Sequence, residues 1–280
     1  MMSEFQLRKQ ICQIGKGLYD RQFVAANDGN ISARLSDREV LATPTGVSKG
    51  SLQPSQLAVC DLDGRQVSGR ERISSEILLH LAIYQANPKV QGVVHAHPPY
   101  ATAFGVANVQ IPTCILPEIE IALGVVPIAD YETPGTQACA DAVARHANDA
   151  WTAIMKNHGV VSWGQSLKMA HFRMEMVDSY CRILMLSRQL GNVDRLSDPQ
   201  VKELLEARSR YGMPPDPRAL TNADLCVNTD FGRGYESSAC PTASKPAAPM
   251  TPPDFTQPSG PELEKLVQVI TDRVMAALST

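Results

Sequence analysis

The sequence predicts an α/β domain, because stretches with the spacing of strands and stretches with the spacing of helices alternate along most of the chain. Leu7, Ile11, Ile14 and Leu18 recur at three- and four-residue steps and indicate a helix near the start. The apolar run 90–97 has the length of a buried strand. No Gly-x-Gly-x-x-Gly segment follows the first predicted strand and no Walker loop occurs, so a nucleotide-binding fold has little support.

The predicted elements follow one another without an internal repeat. Helices are predicted over 5–25, 75–86, 99–106, 136–147, 166–190 and 198–210, and strands over 30–35, 40–43, 57–61, 90–97, 125–129, 153–155 and 160–163. Asp63-Gly64 is a turn signal, and Asn157-His158-Gly159 indicates a tight turn between two strands. Gly191 directly follows the longest predicted helix, where a glycine often ends a helix.

The composition excludes several classes of protein. Of the 280 residues, 44% are apolar and 20% charged, as in ordinary globular proteins. The formal charge is -3 without a Lys/Arg run, which argues against a protein that binds nucleic acid through a basic field. No apolar run reaches the roughly 18 residues that span a membrane, and no signal peptide follows the first methionines. The seven cysteines are odd in number and widely spaced, so we expect a cytoplasmic protein without a disulfide framework.

The proline content divides the chain. Ten of the 20 prolines lie between Pro214 and Pro261, and the segment 237–260 has little apolar periodicity. Such a segment buries too little surface to offset the entropy that is lost on ordering. We therefore predict a body of catalytic size over 1–212, a Pro/Ala/Ser-rich linker over 213–259 and a terminal helix over 260–280.

Two histidines, His95 and His97, stand two residues apart in a predicted strand. Residues i and i+2 of a strand face the same side, so both imidazoles can reach one metal ion. Ordinary core or surface histidines are the more common explanation for such a pair alone. His158, in a turn, is the candidate third ligand that a catalytic zinc site needs. The remaining histidines lie in helical stretches and are expected to be structural or solvated: His80, His146 and His171.

Ser74, Ser75 and Glu76 stand at the start of a predicted helix. Plain helix capping explains this pattern. The alternative is an anion site beside a carboxylate, because the free N–H groups of a helix start bind phosphate and two hydroxyls add donors. Two loops of small residues, 28–32 and 43–46, offer further N–H, hydroxyl and amide donors for a phosphate.

Six segments, in this order, resemble the class II aldolase/adducin family, and most closely its L-fuculose-1-phosphate aldolase branch. They are GNIS (29–32), TPTG (43–46), SSE (74–76), HAHPPYATAF (95–104), YETPGT (131–136) and KNHGVV (156–161). The resemblance covers about residues 5–190. It implies a three-layer α/β/α fold around a central, largely antiparallel sheet. It also implies a fourfold-symmetric homotetramer with sites between subunits.

The resemblance implies roles for individual residues. Zinc, or another divalent metal in its place, is expected on His95, His97 and His158, with one ion per subunit. Glu76 is expected to approach or ligate the metal of the empty site and to act as the catalytic base. The phosphate of a small phosphorylated ketose is expected to bind five residues: Asn30, Thr45, Gly46, Ser74 and Ser75.

One segment departs from the family's pattern. The best-known bacterial fuculose aldolases have a tyrosine, lent by a neighbouring subunit, as the proton donor on the aldehyde side. The matching stretch 115–120 contains no tyrosine. Glu118 and Tyr131 are the candidates for this role.

The reaction implied is retro-aldol cleavage of a ketose 1-phosphate, of the L-fuculose or L-rhamnulose type, to dihydroxyacetone phosphate and L-lactaldehyde. Zinc acts as a Lewis acid for the electrons left on the ketone fragment, and a carboxylate handles the proton. The alternatives are cleavage of another deoxyketose phosphate such as 5-deoxyribulose 1-phosphate, a pentulose-phosphate 4-epimerase and a non-catalytic adducin-like scaffold. Dehydratase and decarboxylase relatives are less favoured. The epimerases resemble one another in having Ser-Ser-Asp, so Glu76 favours an aldolase.

The predicted helix 260–280 carries a narrow apolar stripe, made of Leu263, Leu266, Val267, Ile270, Val274, Ala277 and Leu278. An isolated helix of this length is marginal in water and needs a partner. A Pro/Ala/Ser-rich linker before such a helix resembles the encapsulation peptides that recruit enzymes to bacterial microcompartment shells. The resemblance implies a shell protein as partner and the compartment lumen as location. Docking on its own body, or on tails of its own oligomer, is the alternative.

Overall fold

The computed structural model describes residues 2–214, 216–220, 224–232, 264–265 and 268–269. The chain divides into two units, Met1–Gly234 and Tyr235–Thr280. Four residues of the predicted helix 260–280 are described, and they are helical. The rest of that helix, and the predicted linker from residue 233 on, lie outside the described residues.

The first unit contains the predicted elements, with shifted ends. Its helices are α1 (Glu4–Asp20), α2 (Ile77–Ala86), α3 (Pro99–Ala107), α4 (Pro117–Ala122), α5 (Gln137–Ala144), α6 (Leu167–Gln189), α7 (Asp198–Ala207) and α8 (Pro217–Leu220). Its strands are β1 (Asn30–Arg34), β2 (Glu39–Ala42), β3 (Ala58–Asp61), β4 (Gln66–Ser68), β5 (Gly92–Ala96), β6 (Ile128–Ala129), β7 (Thr152–Met155) and β8 (Gly159–Gly164). Helices α4 and α8 were not predicted. None of the helices in the described part of the chain is both long and apolar enough to cross a membrane.

One sheet organises the unit, with the strand order β4-β3-β2-β1-β5-β8-β7-β6. Its strands pair antiparallel, except that β6 runs parallel to β7. Buried residues of α1, α3 and α6 share a hydrophobic core with one face of the sheet. Buried residues of α2 and α5 share a second core with the other face. The expected three-layer fold around a largely antiparallel sheet is confirmed.

The alternation of side chains along β1 separates core residues from site residues. Ile31 and Ala33 lie in the core that contains α1 and α6. Asn30 and Ser32 face the opposite side, where both hydrogen-bond to a residue of α2. The polar side chains of β1 are therefore directed at the layer that carries the Ser74–Glu76 segment.

Helix α1 ends five residues earlier than predicted. A capping box between Ser3 and Gln6 starts it, and the chain leaves the helix at Asp20. Gln22 then adopts a left-handed conformation with φ of 61°, and Phe23 turns into the core with 7% of its surface exposed. The Phe23 carbonyl accepts a hydrogen bond from the backbone N–H of His97. Burial of Phe23 therefore overrides the helical spacing and brings the chain to the end of β5.

A disulfide framework was not expected, and the described residues contain one disulfide bond. Cys114 and Cys226 form a disulfide across a sequence separation of 112 residues. They lie in a small apolar cluster with Val201 and Leu205 of α7. Spacing along the sequence could not reveal this pair, because the fold alone brings the two cysteines together.

The segment 216–232 also contacts the body through polar groups. Glu120 is fully buried, and its carboxylate lies 2.8 Å from Nη2 of Arg218. Asn228 donates a 2.8 Å hydrogen bond to the carbonyl of Ile111. The predicted boundary between residues 212 and 213 stays a prediction, but residues on both sides of it contact the same part of the sheet domain.

Candidate active site

A pocket of about 230 Å³ opens between three loops. The loops contribute 27–30 before β1, 44–46 after β2 and 74–76 before α2. His97 and His158 complete the lining. The structure thus brings together the GNIS, TPTG and SSE segments, which the sequence singled out separately, at one pocket.

Backbone hydrogen bonds tie the three loops to one another. Thr45 N donates to the carbonyl of Arg72 at 2.9 Å, and Ser74 N donates to the carbonyl of Thr43 at 3.1 Å. Thr43 Oγ1 accepts a 3.1 Å hydrogen bond from Ile31 N. The walls of the pocket are therefore one connected unit, and displacement of one loop must disturb the others.

The register of the sheet places the histidines. His95 lies in β5, opposite Asn30 of β1 and Val161 of β8. His97 follows directly after β5. His158 lies in the tight turn between β7 and β8, where its N–H donates to the carbonyl of Met155 at 3.1 Å. This turn requires glycine at position 159, because a Cβ atom there would lie 2.5 Å from Cδ2 of His97.

His95, His97 and His158 form a cluster. One ring nitrogen of each lies within 4.8 Å of the corresponding nitrogen of the other two. His95 Nδ1 donates a 2.8 Å hydrogen bond to the carbonyl of Val160, so Nε2 of a neutral ring keeps its lone pair. Burial, followed by the neighbouring imidazoles, lowers the pKa of His95 well below its ordinary value. Burial also lowers the pKa of His158, against the opposing effect of Glu76.

This cluster fits a divalent metal. Nε2 of His95 and Nε2 of His97 are buried and have no hydrogen-bond partner among the described residues, while Nε2 of His158 faces Glu76. A buried polar atom without a partner is costly, and a metal ion is a partner that neutral imidazoles accept. The backbone hydrogen bond at Nδ1 of His95 is the type of contact that commonly orients a metal-binding histidine.

Glu76 faces the cluster. Its Oε1 lies 3.4 Å from Nε2 of His158, and its Oε2 lies 3.6 Å from Nε2 of His95. Oε2 also accepts a 2.7 Å hydrogen bond from Nδ2 of Asn30. Glu76 precedes the first residue of α2, and its side chain makes no capping hydrogen bond. The plain capping explanation for this segment therefore does not describe the Glu76 carboxylate, which points into the pocket.

The five residues expected at the phosphate all line the pocket: Asn30, Thr45, Gly46, Ser74 and Ser75. Ser74 is buried, and its Oγ accepts a 3.3 Å hydrogen bond from the backbone N–H of Glu76. Asn30 differs from the other four, because its amide is engaged with Glu76 and His80. Its role as a phosphate ligand stays a prediction.

The two candidates for the aldehyde-side proton donor lie elsewhere. Glu118 is exposed in the first turn of α4, and Tyr131 is 54% exposed. Neither lines the pocket of this chain. The site of one chain thus contains the histidine cluster, the Glu76 carboxylate and the hydroxyl-rich loops, but not Glu118 or Tyr131.

His80 was expected to be structural or solvated, and the structure shows that it is buried beside the pocket residue Asn30. Only 1% of its surface is exposed, and both ring nitrogens make side-chain hydrogen bonds, to Ser32 and to Asn30. Burial lowers its pKa to about 3. A signal was present in the sequence, because Glu76, His80 and Tyr84 recur every four residues and therefore share a helix face.

Sequence reasoning missed Lys49. Only 1% of this residue is exposed, and Nζ donates 2.8 Å hydrogen bonds to the carbonyls of Asn27, in one pocket loop, and of Val47, directly after another. Burial lowers its pKa to about 8, against the opposing effect of Asp28 and Glu76. A cation therefore lies beneath the loops that are expected to bind an anion. Nothing in the spacing of the sequence distinguishes this lysine from a surface residue.

The comparison with protein families decides what kind of protein this is. Residues 9–185 match the model of the class II aldolase and adducin N-terminal domain. The chain belongs to this family. The matched residues include the whole pocket, and they end before the segment 216–232.

Two groups of curated relatives are similar to this class II aldolase-family chain. The 3-oxo-tetronate 4-phosphate decarboxylase of Escherichia coli K12 is 33% identical over 187 residues, which are 65% of this chain and 88% of the relative. The L-fuculose phosphate aldolase of Methanococcus vannielii is 34% identical over 175 residues, which are 62% of this chain and 93% of the relative.

Two solved structures align with this chain. YgbL from Klebsiella pneumoniae, described as a putative aldolase/epimerase/decarboxylase, aligns with a TM-score of 0.69 and 34% identity, over 73% of this chain and all of that chain (100%). An L-fuculose 1-phosphate aldolase aligns with a TM-score of 0.66 and 25% identity, over 74% of this chain and 97% of that chain. These alignments support the aldolase-type fold over the first unit.

Proposed function

We propose that this chain is a metal-dependent lyase that cleaves a phosphorylated ketose by a retro-aldol reaction. The substrate is a ketose 1-phosphate of the L-fuculose or L-rhamnulose type, and the products are dihydroxyacetone phosphate and L-lactaldehyde. One observation carries the proposal: the carboxylate of Glu76 lies 3.4 and 3.6 Å from two imidazoles of the histidine cluster, in a pocket that hydroxyl-rich loops line. Glu76 agrees with the Ser-Ser-Glu pattern that separates aldolases from epimerases.

His95, His97 and His158 would hold the metal ion. When bound, zinc or another divalent ion supplies Lewis-acid chemistry that polarises the ketone oxygen of the substrate. Three neutral ligands leave the charge of the ion uncompensated. The low pKa of His95 supports this, because its ring stays neutral over the ordinary pH range.

Glu76 transfers the proton of C3, the carbon that stays with the ketone fragment. In cleavage, the bond between C3 and C4 breaks, its electrons stay on C3, and the Glu76 carboxyl group donates a proton to C3. In condensation, the carboxylate removes the same proton. Asn30 holds the carboxylate through the 2.7 Å hydrogen bond to Oε2, so the base does not have to be oriented during the reaction.

The loops bind and orient the phosphate. Thr45, Ser74 and Ser75 offer hydroxyl groups, and Gly46 offers a backbone N–H without a side chain in the way. Lys49 adds a positive charge behind two of the loops. Phosphate bound there fixes the distance between the reacting carbon and Glu76.

The proton of the C4 hydroxyl group must also leave. Glu118 and Tyr131 remain the candidates, and neither lies in the pocket of its own chain. We propose that another copy of this chain, in a homotetramer, supplies the group. Exposure of both side chains supports this arrangement, since each is accessible to a neighbouring molecule.

Decarboxylation of a 3-oxo acid phosphate is the second candidate. The identity of 33% with the Escherichia coli 3-oxo-tetronate 4-phosphate decarboxylase favours it. Loss of CO2 from a 3-oxo acid leaves an electron pair on the carbon next to the ketone, as aldol cleavage does. No aldehyde forms, so no group is needed to accept a hydroxyl proton on that side. The absence of a tyrosine from 115–120 is consistent with this reaction.

An assay with two arms decides between the candidates. Zinc-loaded protein is supplied with L-fuculose 1-phosphate, L-rhamnulose 1-phosphate, 5-deoxyribulose 1-phosphate, L-ribulose 5-phosphate and 3-oxo-tetronate 4-phosphate. Release of dihydroxyacetone phosphate is followed through NADH oxidation by glycerol-3-phosphate dehydrogenase, and release of CO2 through a carboxylase-coupled assay. Release of dihydroxyacetone phosphate from a ketose 1-phosphate supports the aldolase. Release of both CO2 and dihydroxyacetone phosphate from 3-oxo-tetronate 4-phosphate, without turnover of any ketose 1-phosphate, replaces it with the decarboxylase. Absence of bound zinc together with absence of turnover would support the adducin-like scaffold.

We further propose that residues 260–280 recruit the enzyme to the lumen of a bacterial microcompartment through a shell protein, while the part of 213–259 that follows residue 232 acts as the linker. The support is the Pro/Ala/Ser-rich composition before the apolar stripe from Leu263 to Leu278. A fluorescent protein fused to residues 237–280 should concentrate in shells. A matched fusion with Leu266 and Ile270 changed to Asp should stay diffuse. Diffuse fluorescence of the unchanged fusion, in cells that make shells, would contradict the proposal.

A further inference from the structure

Five side chains behind the pocket hydrogen-bond in series. Tyr84 Oη lies 2.9 Å from Ser32 Oγ, and Ser32 Oγ lies 2.7 Å from Nδ1 of His80. Nε2 of His80 contacts Oδ1 of Asn30, and Nδ2 of Asn30 donates to Oε2 of Glu76 at 2.7 Å. We call these five residues the polar chain. It connects the second layer of helices to the carboxylate in the pocket.

Two elements build the polar chain. Glu76, His80 and Tyr84 follow one another at four-residue steps from the start of α2, so their side chains lie along one face. Asn30 and Ser32 alternate along β1 and face the same layer. The contacts therefore interleave a helix face with a strand face, and four of the five side chains are buried: Asn30, Ser32, His80 and Tyr84.

The chemistry of the groups fixes the direction of every hydrogen bond. The Glu76 carboxylate, the form that removes the proton in condensation, only accepts, so Asn30 presents its amide nitrogen to Glu76 and its amide oxygen to His80. An amide oxygen also only accepts, so Nε2 of His80 must carry the ring proton. Burial keeps this ring neutral, with a pKa of about 3, so Nδ1 accepts from the hydroxyl of Ser32. Ser32 in turn accepts from Tyr84.

We propose that His80 is a positioning residue, which through Asn30 holds the carboxylate of Glu76 in the orientation that the reaction requires. The proposal rests on the proposed function, because it takes Glu76 as the base. Without the Nε2–H donor, the Asn30 amide can turn over. Its oxygen would then face the carboxylate and repel it.

The first test is a double-mutant cycle on whichever substrate the enzyme turns over. His80→Leu should lower kcat about 10- to 100-fold, which is the usual cost of a misplaced catalytic group. In an Asn30→Ala background the same change should lower kcat less than about threefold, because the residue through which His80 acts is already gone. Equal losses in both backgrounds would overturn the proposal.

A conservative variant separates positioning from packing. His80→Gln keeps an N–H donor that can reach Asn30 Oδ1, so most of the kcat lost in His80→Leu should return. His171→Leu is the matched control, since His171 lies in α6 beside Glu175 and away from the polar chain, and its kcat should stay within about twofold of wild type. Equal losses in the Gln and Leu variants, with wild-type thermal stability, would also overturn the proposal.

The second test does not depend on activity. Neutron diffraction from crystals of the deuterated, zinc-loaded protein locates the ring deuteron of His80 directly. A deuteron on Nε2 alone supports the proposal, and a deuteron on Nδ1 or on both nitrogens overturns it. This result also separates two failures. If no sugar phosphate is turned over, the proposed function fails, while the position of the deuteron still decides the role of the polar chain.

Discussion

Oε1 of Glu76 lies 3.4 Å from Nε2 of His158, although 82 positions along the chain separate the two residues. This separation is longer than the about 2.7–3.2 Å of an ordinary N–H···O hydrogen bond. It is close to the spacing of about 3.3 Å that two ligands of one tetrahedral zinc ion have. Glu76 is therefore close enough to share a metal with the histidines and near enough to the pocket to act on a substrate.

Glu76→Gln should lower kcat by about 10²–10⁴, because a positioned acid–base group typically contributes this much. The amide keeps the shape of the side chain, so the fold and the affinity for inorganic phosphate should remain. Steady-state kinetics and phosphate binding by calorimetry are the measurements. Glu203→Gln, an exposed change in α7, is the matched control for loss of a charge. Turnover within threefold of wild type would mean that Glu76 has no catalytic role and is only an acidic residue at the start of a helix.

His158→Ala should lower the zinc content below one ion per chain, since two imidazoles hold zinc less firmly than three. The measurement is the zinc-to-protein ratio after dialysis against a weak chelator, with His171→Ala as the control. Chelation of the wild-type protein should abolish turnover, and added zinc should restore it. Full zinc content and full turnover of His158→Ala would mean that the third ligand is misassigned.

Ser75→Ala should raise the KM for the phosphorylated substrate about 10- to 100-fold, because a hydrogen bond to a charged group contributes about 1.5–3 kcal/mol. The KM for the unphosphorylated sugar should change little. Ser68→Ala, on an exposed strand at the edge of the sheet, is the control. A similar increase for both sugars would remove Ser75 from the phosphate pocket.

His80 should make the protein sensitive to acid. Its pKa is about 3 in the folded chain because of burial, and near 6.5 in the unfolded chain. Between these values the unfolded chain binds more protons, so the free energy of unfolding falls as the pH falls, by up to about 1.4 kcal/mol per pH unit. Above pH 6.5 this contribution is fully present.

Urea unfolding at pH 7, 6, 5 and 4.5 measures this slope. His80→Gln should lack the pH dependence of the free energy of unfolding that is due to His80. The difference in stability between wild type and variant should therefore shrink as the pH falls. Tyr84→Phe is the control, because its burial-raised pKa lies far above this pH window and its effect should stay constant. A constant difference for His80→Gln as well would contradict the assignment.

Two truncations should show that the segment 216–232 contributes to stability and that the tail from residue 235 on does not. Removal of residues 235–280 should leave turnover and thermal stability near those of the full chain. Removal from residue 213 on should cost about 3–5 kcal/mol, because Glu120 would be left buried without Arg218. The measurement is thermal unfolding of both truncated proteins. Arg218→Met in the protein that ends at residue 234 is the matched variant. Equal melting temperatures would mean that 1–212 suffices, as the composition alone predicts.

Local spacing predicted the order and type of the main elements, because amphipathic periods report which side of a helix or strand is buried. The residues alone also singled out His158, the Ser74–Glu76 segment and two loops of small residues. The resemblance joined them into one expected site, which the fold assembles from distant positions. The burial of His80 and of Lys49 escaped prediction for a physical reason. A buried polar side chain differs from a solvated one only through its tertiary partners, which for His80 lie on β1 and for Lys49 are backbone carbonyls of two loops.

The disulfide between Cys114 and Cys226, which are 112 positions apart, closes residues 114–226 into a covalent ring. Helices α7 and α8 lie inside this ring, and the chain leaves it at residue 226. A pulling force on the tail is therefore transmitted across the disulfide to residue 114, and α7 and α8 carry little of the load. The contacts of Asn228 and Val227 lie on the tail side of the disulfide and bear the force in either state. With the disulfide reduced, the force would pass on to Leu225 and to the residues before it.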